Sequence, residues 1–100
     1  MTLMNGYTMT TTFPEDFTIA DMFGADAVKD TFKRAFNEWK TNYVYLTELT
    51  ITLNLKLWEH YEAGNEKLAA VYNDLWKKAD NYACNNLTGE EAAFFFRVTD

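Results

Sequence analysis

The chain has 100 residues, a length that predicts one domain with its own core. Three Trp, six Tyr and eight Phe stand beside a formal charge of −6. The acidic balance argues against direct binding to nucleic acid, the single Cys84 excludes an internal disulfide, and no run of about 18 uncharged apolar residues is present to span a membrane.

Residues 1–12 are rich in Thr and Met and show no helical period; they are expected to form a flexible arm, although Tyr7, Met9, Thr11 and Phe13 alternate as a short strand would. The segment MTLMNGYTMTTTF lacks the basic start and apolar core of a secretion signal, and with the lone cysteine it predicts a cytoplasmic protein. Residues 13–100 are expected to form the folded domain. Pro14 opens a short helix with Glu15 and Asp16 in its first turn, and Gly24 closes it. Val28, Phe32, Ala35, Phe36 and Trp39 form one apolar stripe, which predicts a second helix with Asp26 near its N-terminal end.

The stretch 42–63 admits two readings. Leu49, Ile51, Leu53, Leu55 and Leu57 alternate with polar residues, as in a strand. The same stretch fits a helix with one apolar face at Leu46, Leu49, Leu53, Leu57 and Tyr61 and another at Val44, Ile51, Leu55 and Trp58. No breaker interrupts it, so a central buried helix of about 20 residues is expected, and an α+β fold with a strand at 49–57 is the alternative. Asn65 is positioned to cap the next helix, whose stripe is Leu68, Val71, Tyr72, Leu75, Ala79, Tyr82 and Ala83. Thr88-Gly89-Glu90-Glu91 reads as a capping box before a last helix carrying Phe94, Phe95 and Phe96. The sum predicts an all-α bundle of four to five helices.

Catalysis finds little support in the residues. His60 is the one histidine, and Cys84 sits in an Ala-Cys-Asn context suited to packing. A metal site from His60 and Cys84 with Glu59, Glu62 or Asp80 lacks ligand spacing, and neither a metal nor another cofactor is expected. His60 is expected to be partly exposed, and Trp58 and Trp76 to lie in the core. The surplus of aromatic residues in an acidic chain points instead to docking on a protein with a basic surface. The expected acidic patches are Glu15, Asp16, Asp21 and Asp26, and Glu59, Glu62 and Glu66. The expected aromatic anchors are Tyr43, Tyr45 and Phe95. Three consecutive Phe span about 200° of a helix, so one face cannot bury them all.

Four phrases, Glu15-Asp16-Phe17-Thr18-Ile19-Ala20-Asp21, Phe32 to Trp39, Tyr45-Leu46-Thr47-Glu48-Leu49 and Asp80-Asn81-Tyr82-Ala83, resemble a family of small acidic proteins carried on mobile elements of gut Firmicutes. The likeness covers about residues 13–100 and contains no catalytic signature. It implies a setting of horizontal transfer, in which small acidic proteins often act as anti-CRISPR or anti-restriction factors. The expected function is therefore a non-enzymatic inhibitor that blocks the nucleic-acid groove of a host defence enzyme, with a type II CRISPR nuclease as the specific expectation. The alternative is an accessory or structural protein of the mobile element that self-associates as a homodimer through its aromatics.

Overall fold

The ambiguous segment at 42–63 is a helix. The computed structural model describes residues 1–99 and contains α1 (Phe13–Asp21), α2 (Ala25–Trp39), α3 (Tyr43–Glu62), α4 (Glu66–Asn86) and α5 (Gly89–Thr99), with no strand among the described residues. Asp100, the last residue of the expected domain, lies outside them. The fold is the expected all-α bundle.

Asn42 starts α3, its Oδ1 accepting from the backbone N–H groups of Val44 and Tyr45 at 3.1 Å. The residues that suggested a strand are accommodated one by one. Thr47, Thr50 and Thr52 each donate a hydroxyl proton to the carbonyl four residues back, at 2.7–2.8 Å, so these polar side chains are buried with their donors satisfied. α3 contacts α1, α2, α4 and α5, which explains why it is apolar on two sides.

One side of α3, through Leu49 and Leu53, meets Phe13, Phe17, Val28, Phe32, Tyr72, Leu75 and Ala79 in the main core. Burying each Leu, Val or Phe of this set contributes roughly 1.5–3 kcal/mol. Near the start of α3, Leu46 packs with Ala83 and Phe95. On the opposite side Ile51 packs with Met9 and Val98. Gly24, at φ 103°, and Gly64, at φ 78°, supply the left-handed backbone that the tight α1–α2 and α3–α4 turns require.

The outer side of α3 is covered only along its first half. Residues 1–12, expected as a free arm, form a strap there. Thr2 and Thr8 pair in one antiparallel bridge, and Asn5 at the tip donates to the Val98 carbonyl at 2.8 Å. Beyond the strap, Leu55, Trp58 and Tyr61 emerge into solvent. Trp58, expected in the core, is 52% exposed for this reason, whereas Trp76 packs half-buried against the main core.

Candidate functional site: two closed polar nodes and two open surfaces

The strap is held by a carboxylate. Glu48 faces outward from α3 yet is 0% exposed, because the strap lies over it. Its two oxygens accept from Tyr7 Oη at 2.7 Å, from Thr10 N at 2.8 Å and Oγ1 at 2.6 Å, and from Thr11 N at 2.8 Å and Oγ1 at 2.9 Å. Burial by itself raises the carboxyl; the donors from Thr10, Tyr7 and Thr11 outweigh it and hold the group below its usual value. Burial, and then the bond to Glu48, push the Tyr7 hydroxyl far above its usual value, so it stays a donor.

A second node joins α1 to α3 and α4. Asp21 Oδ2 meets Lys56 Nζ at 3.1 Å and His60 Nε2 at 2.9 Å, and Asp21 Oδ1 accepts from the Tyr72 hydroxyl. Lys56 Nζ also reaches Glu59 Oε2 at 3.0 Å and Thr18 Oγ1 at 2.8 Å. The His60 ring stacks on Tyr72, with centroids 5.4 Å apart and planes 9° apart. Asn65, expected to cap α4, has no capping bond there; its amide lies 3.4 Å from His60 Nδ1. His60 is thus buried inside a network rather than partly exposed on a helix surface. Burial, followed by the bond to Asp21, raises the Tyr72 hydroxyl far beyond its usual range.

Asp21, Glu59 and His60 lie close enough to ligate one ion. Lys56 answers that chemistry differently: its ammonium already bonds to both carboxylates. The Thr18 hydroxyl donates to the Pro14 carbonyl at 2.9 Å and is no free nucleophile. None of the three main surface grooves is lined by Asp21, Lys56, His60 or Tyr72. Cys84 takes no part in this node. It lies in the last turn of α4, while Tyr72 beside His60 lies twelve residues earlier, about 18 Å along the helix. Its thiol is pushed up by burial and by Asp80, the reverse of what a nucleophile needs.

Several residues expected at a docking surface are held inside. Asp21 is committed to the node. Phe95 is 1% exposed against Leu46 and Ala83; Phe96 is the aromatic of the triplet that faces out, at 50% exposure. The 100° step along α5 decides this: Phe94 turns to Tyr7 and Tyr43, Phe95 to the core and Phe96 to solvent. Tyr43 is half-buried edge-on to Phe94, and Tyr45 is half-buried between Trp39 and Phe13. Glu15, Asp16, Asp26, Glu62 and Glu66 are exposed, and Glu59 is exposed but tied to Lys56.

Two open surfaces combine exposed apolar side chains with acidic residues; a third groove, of about 640 Å³ between α2 and α4, is lined by Lys29, Lys33 and Lys78. At the α1–α2 corner, Met22 and Phe23 are 80% and 77% exposed, and Ile19 lies one turn back. Ile19 and Phe23 line a groove of about 590 Å³ between α1 and α2 with Asp16, Asp30, Arg34 and Glu38. Among the described residues every ion pair belongs to the Lys56–His60 node, so Glu15, Asp16, Asp26 and Asp30 keep their charge unpaired. The second surface is a groove of about 420 Å³ bounded by the strap, α3, α4 and α5. Sequence periodicity did not signal Met22, Phe23 or Phe96 as exposed; the one hint at the corner was Gly24, which places Met22 and Phe23 at a helix end.

No protein family, curated protein or solved structure matches the chain.

Proposed function

We propose that the chain is a non-enzymatic protein-binding inhibitor that docks on the basic surface of a host defence nucleic-acid enzyme, a type II CRISPR nuclease being the target class. The observation that carries the docking reading is the α1–α2 corner, where Ile19, Met22 and Phe23 stand in solvent among the unpaired acids Glu15, Asp16, Asp26 and Asp30. Apolar anchors inside a charged rim are what an interface hot spot requires. The acids would compete with phosphates for the same lysines and arginines, and would steer the encounter. The closed Asp21–Lys56–His60 node and the raised Cys84 thiol support a binding role over a chemical one. The choice of a defence enzyme rests on the resemblance to mobile-element proteins and on the charge.

The test is DNA cleavage by a panel of type II CRISPR nucleases and restriction enzymes, at low and near-physiological salt, with the order of addition varied. Inhibition that vanishes when nucleic acid binds first is the expected result. Reversing Asp16 and Asp26 to Lys together should weaken inhibition at low salt and flatten its salt dependence. Asp21 is left out of that double variant because it holds the fold. No inhibition across the panel overturns the reading.

A second reading is a homodimer formed through the exposed Trp58–Tyr61 pair, whose rings meet edge to face at 5.6 Å. Sedimentation separates it from the first: an apolar dimer keeps its mass as salt rises, whereas an acid-steered complex dissociates.

A further inference from the structure

This fold supplies donors to the carboxylates it takes most fully out of water. Glu48 receives hydroxyl and amide donors, and Asp21 receives Lys56, His60 and Tyr72. Asp80 is treated differently. It is half-buried on α4, lines the groove beside the strap, and has no salt-bridge partner among the described residues. The other walls of that groove include Met4, Ile51, Leu55, Trp76 and Phe96, with Asn54 and Thr99, and among the described residues Asp80 is its one charged lining residue. Partial burial pushes the Asp80 carboxyl up, because no cation beside it offsets the loss of water.

We propose that this groove is a second protein-binding site, distinct from the α1–α2 corner, and that it takes a segment presenting an apolar side chain beside a lysine or arginine. The volume of about 420 Å³ lies in the range that encloses one or two large side chains. Charge complementarity selects a cation, because Asp80 lacks one and the chain as a whole is acidic. Lysine and arginine join the charge to an apolar stem, which covers the exposed Met4, Leu55 and Phe96 while the head group meets Asp80. A polypeptide is favoured over a free amine because the apolar surface does not end at the groove. From Leu55 it continues along α3 to Trp58 and Tyr61, about 9 Å of helix that a small amine cannot span.

The test is a titration of the ¹⁵N-labelled full chain with three probes: the acetylated, amidated peptide Leu-Lys-Trp-Leu, its version with norleucine in place of lysine, and free tryptamine. The lysine peptide should shift the signals of Leu55, Trp76 and Phe96 and bind about tenfold more tightly than the norleucine peptide, the effect of one hydrogen bond to a charged group. Asp80→Asn should bring the two peptides to equal affinity and leave the protein folded, with an unchanged or raised unfolding midpoint. Equal affinity of both peptides for the unaltered chain overturns the proposal, as does the absence of shifts at the groove. Tryptamine binding as tightly as the lysine peptide would assign the groove to small amines and overturn the protein-segment assignment. Asp80→Asn should leave nuclease inhibition intact, so failure here and failure of the α1–α2 docking surface are read separately.

Discussion

Glu48 and Asp21 are both carboxylates taken largely out of water, and the fold stabilises their charge in opposite ways. Asp21, whose side chain is 14% exposed, is met by two cationic or protonatable groups and a phenol: Lys56, His60 and Tyr72. Glu48, at 0%, is met by three hydroxyls and two backbone amides and by no cation. The first arrangement joins three helices whose apolar faces are already packed together, so its loss strains a structure that cannot move aside. The second ties down a strap whose apolar contacts, Leu3, Tyr7 and Met9 against Ile51, Phe94 and Val98, form a small cluster apart from the main core, so the strap can leave without opening that core and its donors can return to water. The location of a buried charge, more than its number of bonds, then sets what its removal does.

The largest expected effect is at the first node. Asp21→Ala leaves Lys56 with the exposed Glu59 as its one ionic partner among the described residues, beside the Thr18 hydroxyl, and should cost about 3 kcal/mol in urea unfolding. Lys56→Met sharpens the point. If its cost is much smaller than that of Asp21→Ala, His60 at 2.9 Å serves as the remaining partner of Asp21. Glu48→Ala comes next, at about 2 kcal/mol, with the cost limited by release of the strap. Its distinguishing readout is limited proteolysis: Glu48→Ala should open residues 1–12 to cleavage while 13–99 stay protected, and Asp21→Ala should not. Equal protection of the strap in both variants would break the comparison. Tyr7→Phe removes one donor of five and should cost about 1 kcal/mol with slight strap opening.

The parts of the fold that were readable in the sequence are those decided locally. The stripes of α2 and α4 were legible because each of these helices buries one face, and Val28, Phe32, Tyr72, Leu75 and Ala79 lie where that period places them. α3 was harder, because burial on two sides removes the polar face that marks a helix, and its threonines mimic strand alternation until their hydroxyls find the carbonyl four residues back. The strap and both nodes had no local signature. Glu48 meets its donors across 37 to 41 residues, and Asp21 meets His60 across 39. The threonine run at 10–12 and the lone Glu48 among Leu and Thr were the available clues, but only tertiary packing brings them together. The open surfaces depended on which way a helix is rotated, and so Phe95, expected as an anchor, is buried and Phe96 is the exposed member of the triplet.

Acid perturbs Glu48 without changing the sequence and separates the strap from the rest of the bundle. Glu48 has a folded value below its unfolded one. Its contribution is therefore fully present above the usual glutamate range and is lost as the pH falls through the folded value. Between those limits, starting below about pH 4.3, this one group removes up to about 1.4 kcal/mol per pH unit. Protonation converts an acceptor of five hydrogen bonds into a group that must itself donate, so the loss falls on Tyr7, Thr10 and Thr11 and not on the core. Amide exchange at Thr10 and Thr11, whose N–H groups bond directly to Glu48, should accelerate on acidification relative to the intrinsic rate before exchange in α4 does. In Glu48→Gln that excess should be absent, because the side chain has no charge to lose. Because neutral donors hold the carboxylate out of solvent, added salt should move the transition little. A transition that persists in Glu48→Gln would place the acid response elsewhere in the molecule and remove the contrast between the two nodes.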